Sequence, residues 1–392
     1  MAVGISFKNG KCLEAINYYC DIFDINPPKK LIRYSDFEQY NFPLEVRDRI
    51  YNSKLEIYGN NVYLFDTTDD KHWLSGNNGR VVIETNSENL YKAYSKLKKE
   101  NYENELIEWY QYRSQNEKNP LENPKTFNEK IQWLKLNDST HLKTICADKY
   151  LVRDYVKDKV GEEYLIPLLG YWDKFEDIDF SKLPKKMIFK STTGSARYKI
   201  IKDKNNIDYK DLKKSMDLWQ KLPYGYAGME IHYFDIDRKI ICEKLLDMKG
   251  PSVIDYKIHC FNGKPRIVEY ISDRKGHSYC ETWFDTSWNK LNIFMDADSS
   301  FNHKVTPAPP QKLKEMLKIS KILSEDFIYV RVDLYEIEGT IYFGELTFTP
   351  ANGFDIWKGT KSQLLVGNLL RLPFESRLND EEISKIMLEL KL

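Results

Sequence analysis

The stretch at residues 329–353, "YVRVDLYEIEGTIYFGELTFTPANG", has the pattern of two β-strands joined by a turn at Glu338-Gly339. β-Branched and aromatic residues alternate with polar ones, as in a half-buried hairpin. Three charged side chains, Arg331, Asp333 and Glu345, lie within these strands. A sheet has no need of charges at such positions, so the hairpin raises the question of what they bind.

The register of the hairpin decides which side chains share a face, because successive residues of a strand point to opposite faces. A two-residue turn sets Asp333 opposite Gly344 and leaves Glu345 on the far face. One additional loop residue sets Asp333 opposite Glu345 and Arg331 opposite Thr347, all on one face. The reverse face is then apolar, with Val330, Val332, Leu334, Leu346 and Phe348.

Two directly opposed carboxylates repel each other and destabilise a sheet unless a cation lies between them. Mg²⁺ prefers oxygen ligands and is often held by one or two carboxylates together with substrate phosphates. The hairpin therefore predicts the shifted register and a magnesium site. A face whose charges are merely solvated is the alternative.

Length, charge and cysteine content limit the class of protein. A chain of 392 residues suggests two or three domains. Its 59 basic and 59 acidic residues balance, which gives no electrostatic reason to expect a nucleic-acid partner. The six cysteines form no C-x-x-C pair, which favours reduced thiols and a cytoplasmic protein. No apolar run approaches the roughly 20 residues of a membrane span.

The pattern of the chain divides it into three parts. Residues 1–101 begin β-α and continue with a strand near "KLIRYS", a hairpin "KLEIYGNNVYLFD" turning at Gly59-Asn60-Asn61, a strand "RVVIET" and a helix "SENLYKAYSKLKK". Residues 102–126 are expected to form a helical linker. Residues 127–392 have an α+β pattern, which begins with the helical segments "TFNEKIQWLKLND" and "LKTICADKYLVRDYV".

The segment "KMIFKSTTGSARYKIIK" predicts a strand, a loop of small residues and a second strand. Lys190 precedes the loop, which contains Gly194 and Ser195. Backbone N–H groups in such a loop can surround an anion, although most loops of this composition only turn the chain. Further on, Glu243 ends the apolar strand "IICEK". A buried acid there needs a donor such as a base or a ribose hydroxyl, while a surface glutamate needs none.

A second hairpin, "DYKIHCFNGKPRIVEYI", is predicted to turn at Asn262-Gly263. Asp255, Lys257 and His259 share one face of its first strand, and Arg274 follows its second. The cations Lys257, His259 and Arg274 suit a phosphate. Partner carboxylates within the protein would satisfy them equally well.

The order of these features resembles that of the ATP-grasp superfamily. The segments "NPKTFNEKIQWLKLND", "ICADKYLVRDYV", "YLIPLLGYWD", "DYKIHCFNGKP" and "GELTFTPANG" resemble the TupA-like ATP-grasp family of bacterial surface polysaccharide gene clusters. The resemblance covers about residues 105–375. It implies an ATP-grasp fold over residues 127–392, in which two α+β subdomains grip ATP.

The resemblance also implies roles for individual residues. Those that match nucleotide-binding positions are the phosphate lysines Lys149 and Lys190, the closing-loop residues Gly194 and Ser195, and the adenine and ribose strand Glu243, Lys244 and Leu245. Those that match magnesium ligands are Asp333, Glu345 and Thr347, the last where the superfamily often has asparagine. Arg331 would lie beside the transferred phosphoryl group, with Lys257 and Arg274 as further cations of the catalytic site.

The function implied is an ATP- and Mg²⁺-dependent ligase that joins a small carboxylate, such as a sugar acid, to an amino acid or another amine through an acyl phosphate. A kinase could use the same nucleotide site to phosphorylate a hydroxyl. A polysaccharide glycosyltransferase and a non-catalytic binding protein are further alternatives. No protein nucleophile is required for the ligase reaction.

Residues 1–101 resemble a different superfamily. The segments "NGKCLEAINYYCDIF", "LEIYGNNVYLFD" and "VVIETNSENLYKAYSKLKK" are similar to the PhnB-like branch of the glyoxalase and bleomycin-resistance (vicinal oxygen chelate) proteins, which pair two βαβββ modules. Here the second module stops after its helix, and His72 is the only histidine, so a structural role is expected. The sheet would have unpaired edge groups and an apolar face, including Val62, Leu64, Val82 and Ile83, that lacks its usual second half, which predicts a homodimer or docking on the ATP-grasp body.

Overall fold

The computed structural model describes two compact units, residues Met1–Tyr102 and Glu103–Leu392. The described residues are 3–7, 12–23, 25–28, 30–36, 46–57, 60–66, 102–115, 117–221, 224–225, 228–246, 253–275, 278–293, 303–355 and 357–392. No helix among them is long and apolar enough to cross a membrane. All six cysteines lie within these ranges as free thiols, and five of them are buried.

The first unit contains one four-stranded sheet and a helix. Its elements are β1 (Val3–Phe7), α1 (Cys12–Phe23), β2 (Leu31–Arg33), β3 (Ile50–Ile57) and β4 (Asn60–Asp66). The strand order is β1-β4-β3-β2, with β1 parallel to β4. This is the βαβββ order expected of the module. Val62 and Leu64 are buried beside the apolar residues of α1, so the prediction that their part of the apolar face is uncovered is wrong, because α1 packs on it.

One predicted turn in this unit is wrong by a residue. Asn60 and Asn61 belong to β4, where they pair with Ile57 and Glu56. The reason is that Ile57 already pairs with Asn60, which leaves only two residues between the strands. The predicted strand "RVVIET", the predicted helix "SENLYKAYSKLKK" and His72, Val82 and Ile83 lie outside the described residues.

The second unit has an α+β architecture with two sheets, as the sequence predicts. Its helices are α2 (Tyr102–Ser114), α3 (Phe127–Asn137), α4 (His141–Ala147), α5 (Val152–Val160), α6 (Tyr209–Lys221), α7 (Leu313–Ser324), α8 (Gly359–Leu369) and α9 (Asp380–Glu389). Its strands are β5 (Leu168–Trp172), β6 (Met187–Ser191), β7 (Tyr198–Ile201), β8 (Ile240–Lys244), β9 (Asp255–Phe261), β10 (Lys264–Lys275), β11 (Ser278–Asp285), β12 (Tyr329–Ile337) and β13 (Thr340–Thr347). The sheet orders are β5-β8-β6-β7 and β11-β10-β9-β12-β13.

The predicted linker helix α2 packs on the body of the second unit. Leu106 and Tyr110 are buried. The rings of Trp109 and Tyr110 lie 5.1 and 5.4 Å from that of Phe354. The helix is therefore part of the folded unit and not a free spacer. The next helix, α3, begins at a capping box in which Thr126 and Glu129 satisfy each other's backbone N–H groups.

The five-stranded sheet has one apolar face and one mixed face, called the polar face below, on which charged residues lie beside the apolar residues Phe261, Ile267, Trp283 and Tyr329. The residues of the apolar face belong to the largest buried cluster and include Tyr256, Ile258, Cys260, Val268, Tyr270, Phe284, Val330, Val332, Leu334, Leu346 and Phe348. Helix α7 covers this face with Met316, Ile319 and Leu323. Burial of this apolar surface holds the sheet in place and leaves the opposite face available for charged groups.

The final hairpin has the shifted register that the sequence predicts, although the extra residue is not in the turn. Glu338 and Gly339 form a two-residue turn with φ of 52° and 76°. A bulge next to Asp333 then shifts the pairing, so that Leu334 pairs with Phe343 but Asp333 pairs with Glu345. Gly344 is the unpaired residue, and the two carboxylates share one face.

Gly344 is expected to be essential for this register. A Cβ atom there would lie 3.0 Å from the carbonyl oxygen of Asp333 and 3.0 Å from the ring of Tyr335. Gly344→Val should lower the free energy of unfolding by roughly 1–3 kcal/mol through overpacking. Gly339→Asn is the control, because nothing lies within 4 Å of its Cβ position and asparagine tolerates positive φ. Denaturant unfolding of both variants measures the difference, and equal loss in the two would contradict this account of the bulge.

Candidate active site

A band of charged side chains crosses the polar face of the five-stranded sheet. Glu269 on β10 pairs with Lys257 on β9, which pairs with Asp333 on β12, which pairs with Glu345 on β13. Because cross-strand partners point to the same face, the pairing alone brings these four side chains together. The sequence placed Lys257, Asp333 and Glu345 in the site and missed Glu269.

Asp333 lies at the centre of this band, between two cations. Its carboxylate accepts hydrogen bonds from Arg331 Nε at 2.7 Å, Arg331 Nη2 at 2.8 Å and Lys257 Nζ at 2.6 Å. Burial alone raises the pKa of Asp333, but the charges of Arg331 and Lys257 lower it below its usual value. Burial and Arg331 likewise lower the pKa of Lys257, yet Asp333 and the nearby carboxylates raise it overall. The three groups are therefore charged together.

Three oxygens of the final hairpin surround one nitrogen of Arg331. Arg331 Nη2 lies 2.8 Å from Asp333 Oδ2, 3.2 Å from Thr347 Oγ1 and 3.8 Å from Glu345 Oε1. The Thr347 hydroxyl donates to Glu345 at 3.3 Å. Two carboxylates and a hydroxyl are hard ligands, which suit Mg²⁺. The donor set fits the predicted metal, and a bound ion would share these oxygens with Arg331.

Lys149 connects this hairpin to the smaller sheet. Its Nζ donates to the carbonyl oxygen of Gly194 at 2.6 Å and lies 3.8 Å from Glu345 Oε2. Its backbone N–H donates to the Thr192 carbonyl at 2.9 Å. Burial lowers the pKa of Lys149, while the charge of Glu345 opposes that effect. One lysine thus contacts both the predicted phosphate loop and a predicted metal ligand.

Glu243 already has its donors within the protein. It is buried, and it accepts hydrogen bonds from Lys190 Nζ at 2.6 Å and from Arg153 Nη1 at 3.0 Å. The donors of Glu243 are therefore protein cations, and its predicted contact with the nucleotide stays a prediction. The backbone N–H of Lys244 also has a partner within the protein, because it donates to the Pro167 carbonyl at 3.0 Å. Leu245 directly follows β8 and is half-buried.

Arg153 contacts Glu243 together with Lys190, although no sequence motif indicated a role for it. The residues that line a small cleft beside it are Lys149, Val152, Arg153, Leu165, Lys190, Glu243, Phe343 and Gly344. Both predicted phosphate lysines therefore face the same cleft. The spacing of Arg153 on α5, one turn beyond Lys149, was the signal that could have identified it.

The loop between β6 and β7 is anchored over most of its length. Ser191, Thr192 and Thr193 are buried, and the Thr192 hydroxyl donates to the Asp237 carbonyl at 2.9 Å. Gly194 has φ of 81°, and a Cβ there would clash with the Tyr224 ring. Ser195 is exposed. The expected closure over phosphates stays a prediction, and the exposed part of the loop begins at Ser195.

Of the remaining predicted cations, Arg274 is paired with a carboxylate, whereas His259 contacts one as a neutral imidazole because burial lowers its pKa. Arg274 contacts Asp255 at 2.9 Å, and His259 Nε2 contacts Glu269 at 3.1 Å. This outcome corresponds to the alternative in which partner carboxylates satisfy the cations. Arg274 lies at the edge of the polar face, about two-fifths exposed. Arg274 is connected to the band through its ion pair with Asp255 and not through a direct contact with Asp333.

Further carboxyl groups that the sequence did not reveal enclose the band. Burial, followed by the charge of Glu269, raises the pKa of Glu281 to about 9. The same two causes raise the pKa of Asp355 to about 7. Asp355 Oδ2 is buried without a hydrogen-bond partner among the described residues. These residues are far apart in sequence and have no motif, so only the fold reveals them.

Replacement of Asp333 is expected to destabilise the protein. Asp333→Asn would relieve the repulsion between the opposed carboxylates, but the structure places Asp333 between two buried cations. Breaking such a network should cost about 3–5 kcal/mol of unfolding free energy at pH 7. Because the folded-state pKa of Asp333 is lowered, its contribution is present at neutral pH and lost on acidification through that pKa.

Glu345→Gln is the matched control for Asp333→Asn in unfolding measurements. The Glu345 side chain is 36% exposed, so its loss should cost no more than about 1 kcal/mol. Denaturation of both variants at pH 7 and pH 4 compares them. Equal stability of Asp333→Asn and the wild type at pH 7 would contradict the assignment of Asp333 as the centre of the band.

Glu281 is expected to make stability depend on pH in the opposite sense. Its folded-state pKa is raised, so the folded protein retains a proton that the unfolded chain loses above its ordinary pKa. Stability should therefore fall as pH rises from near 4.5 toward 9, by at most about 1.4 kcal/mol per unit. Glu281→Gln should remove the part of the slope that lies above pH 7, where Asp355 no longer contributes, whereas the exposed control Glu381→Gln should retain it. Identical pH profiles for wild type and Glu281→Gln would refute the proposal of a protonated Glu281.

Comparison with known proteins agrees with this arrangement. The profile of the family described as TupA-like ATPgrasp matches residues 129–371. No protein of curated function matches the sequence.

Several solved structures are similar to this chain at low identity. A D-alanine–D-alanine ligase from Bacillus anthracis has 18% identity and a TM-score of 0.36, covering 68% of this chain and 71% of its own. The same enzyme from Helicobacter pylori has 15% identity and a TM-score of 0.33, covering 59% and 60%. A RimK domain ATP-grasp protein from Sphaerobacter thermophilus has 8% identity and a TM-score of 0.33, covering 58% and 69%.

These TM-scores are too low to support an argument, so the assignment depends on the family profile. That profile covers more than half of the chain and includes both predicted phosphate lysines and the final hairpin. The chain belongs to the TupA-like ATP-grasp family.

Proposed function

We propose that this protein is an ATP- and Mg²⁺-dependent ligase that joins a carboxylate to an amine through an acyl phosphate. The observation that carries the proposal is the position of Lys149, whose Nζ lies 2.6 Å from the Gly194 carbonyl and 3.8 Å from Glu345. A lysine in this position can hold a phosphate between the loop and the metal carboxylates. The family membership and the charged band support the same conclusion.

Each residue of the site has a distinct part in this proposal. Asp333 and Glu345 would hold Mg²⁺, with Thr347 as a further ligand or through water. The ion would neutralise the phosphate charge as it is transferred. Lys149 and Lys190 would position the phosphates from the cleft. Arg153 would keep Glu243 from competing with the phosphates for Lys190, because it supplies Glu243 with a second cation.

The reaction then proceeds in two steps. A carboxylate oxygen of the substrate bonds to the γ-phosphorus of ATP, and ADP leaves. The amine next attacks the carbonyl carbon, so that a C–N bond forms, the bond to the phosphate oxygen breaks, and phosphate and a proton are released. Arg331 Nη1 makes no hydrogen bond to a described residue, so it can stabilise the oxyanion that develops between these events.

The carboxyl groups around the band favour an amine as the second substrate. Glu269 is close enough to raise the pKa of both Glu281 and Asp355, and Asp355 Oδ2 lacks a partner among the described residues. An ammonium group supplies both positive charge and hydrogen-bond donors to such a site. Bacterial polysaccharide synthesis offers sugar carboxylates as the first substrate, and ATP and free thiols favour the cytoplasm as the location.

Product analysis tests the reaction class. The full chain is incubated with ATP, Mg²⁺ and pairs of sugar acids and amino acids or diamines, and the products are identified by mass spectrometry. ADP, phosphate and an amide support the ligase. ADP with a phosphorylated hydroxyl would show a kinase instead, and absence of ATP turnover with every pair would oppose both enzymes.

Glu345→Gln is expected to separate metal binding from stability. Loss of one carboxylate ligand should weaken Mg²⁺-dependent binding of a non-hydrolysable ATP analogue at least tenfold, with little change in unfolding free energy because Glu345 is 36% exposed. Calorimetric titration at several Mg²⁺ concentrations measures the effect. Glu336→Gln, on the same hairpin, is the control. Unchanged Mg²⁺ dependence in Glu345→Gln would remove this residue from the metal site.

We further propose that residues 1–101 form a truncated vicinal-oxygen-chelate domain with a structural role. The βαβββ order of the described elements supports this proposal, although the family profile begins only at residue 129. A homodimer through the open edge of this sheet is the expected assembly. Light scattering on the full chain and on a chain beginning at Tyr102 tests it. A monomeric full-length protein would contradict the dimer.

A further inference from the structure

A second group of chemically active side chains lies on the opposite face of the five-stranded sheet from the charged band. Ligand atoms of Asp273, Cys280 and His303 all lie within 4.8 Å of one another. Ser272 pairs with Cys280 across β10 and β11, and Thr282 on β11 lies on the same face as Cys280. The imidazole of His303 stands edge-on to Tyr270, 5.2 Å away, which places it on the apolar face.

A bulge in β10 brings Asp273 to this group. By simple alternation Asp273 would follow Glu269 and Ile271 on the charged face. The pairing of β10 with β11 is instead interrupted between Ser272 and Lys275, and Asp273 has φ of 57°. Its carboxylate consequently accepts a hydrogen bond from the Ser272 hydroxyl at 2.6 Å. Bulges commonly redirect a side chain in this way at a functional position.

The hydrogen bonds of His303 fix which nitrogen is available to a ligand. The Thr282 hydroxyl donates its only hydrogen to the Glu281 carbonyl at 2.8 Å. Thr282 Oγ1 also lies 2.9 Å from His303 Nδ1, and with the Thr282 hydrogen directed at Glu281 we assign the hydrogen of this contact to Nδ1. A neutral imidazole then has its lone pair on Nε2. Metal-binding histidines are usually held in this manner by an acceptor on the other nitrogen.

The Ser272 hydroxyl cannot satisfy both acceptors that face it. Its oxygen lies 2.6 Å from Asp273 Oδ2 and 2.9 Å from His303 Nε2, but it has one hydrogen to donate. One of these acceptors therefore lacks a donor from Ser272 in the neutral-imidazole state. Asp273 is exposed, so water can also donate to it, and a cation that accepts electron pairs from Asp273 and His303 at once would satisfy both, with the Cys280 thiol beside them.

We propose that Asp273, Cys280 and His303 form a binding site for a zinc-class divalent ion, separate from the ATP site. Zn²⁺ takes sulfur, nitrogen and oxygen ligands, and a group of three such ligands leaves a fourth position for water. Tetrahedral zinc requires ligand atoms about 3.3–3.8 Å apart, given bonds of about 2.0–2.3 Å. The three atoms therefore have to move together by roughly 1 Å when the ion binds. The Cys280 thiol releases its proton in the process.

The ion would tie residue 303 to the β10 and β11 hairpin. Trp288 Nε1 already donates to the carbonyl of Pro307 at 2.9 Å, so the chain after His303 has one attachment to this region. A metal bond at His303 would add a second. It would also fix the end of the β10 and β11 hairpin, where Glu281 and Arg274 lie on the opposite face of the sheet.

Metal titration of the full chain tests the site. Protein freed of metal with a chelator is titrated with Zn²⁺ against a chromogenic competitor, and with Co²⁺ as a spectroscopic probe. One tight equivalent per chain and a thiolate-to-cobalt charge-transfer band are expected. Cys280→Ser should abolish the band, and both Cys280→Ser and His303→Gln should weaken Zn²⁺ binding at least tenfold. Less than one equivalent in the wild type would overturn the proposal.

Three further variants test the orientation of His303 and the location of the ion. Thr282→Val should weaken Zn²⁺ binding about 10–100-fold, because it removes the group that orients His303. His141→Gln, which changes an exposed histidine on α4, should bind as the wild type does. Glu345→Gln should also bind as the wild type does, whereas loss of the equivalent in that variant would place the ion in the ATP site and overturn the proposal. Thermal unfolding without metal shows whether each variant is folded.

Discussion

The carboxylate of Asp333 is the interaction on which the polar face of the large sheet depends. It holds Arg331 and Lys257 within 2.8 Å in a region from which water is largely excluded. Without it, two cations would face each other in a medium of low dielectric constant, where their repulsion exceeds its value in water several-fold. With it, Arg331 is held rigidly, and Lys257 is fixed between β9 and β12. The same carboxylate keeps lone pairs for a metal, so one group supports both the fold and the proposed chemistry.

The sequence predicted the elements of this region well because they are local. Alternation identified both hairpins, and the turn residues Asn262-Gly263 and Glu338-Gly339 fixed where they reverse. The shifted register was predicted from chemistry, since opposed carboxylates make sense only around a cation. Its cause was not predictable in the same way. The extra residue could lie in the turn or in a bulge, and only the packing of Gly344 against Asp333 and Tyr335 decides in favour of the bulge.

Side chains that meet through tertiary structure were predicted less well. Glu243 was identified as a buried acid, but Arg153 reaches it from a helix about 90 residues earlier in the chain, so its donor was assigned to a nucleotide. Asp355, Glu281 and Glu269 come from three different segments and have no common spacing. Their proximity follows from strand order, which places β10 beside β9 and β11. A sequence pattern records the face of a strand on which a residue lies, but it does not record which strands are neighbours.

Among the residues that the structure describes, the charges on the polar face do not balance, and this connects its stability with binding. Six carboxyl groups, Asp255, Glu269, Glu281, Asp333, Glu345 and Asp355, face four cations, Lys149, Lys257, Arg274 and Arg331. Protons relieve the excess in part, since burial raises the pKa of Glu281 to about 9 and that of Asp355 to about 7. A cation bound nearby competes with those protons, because both stabilise the same carboxylates. By thermodynamic linkage, a cation that binds beside Glu281 at neutral pH releases a proton, and its affinity rises with pH. The negative charge of these carboxylates weakens the folded state at high pH. The same negative charge would favour the proposed amine substrate in its ammonium form.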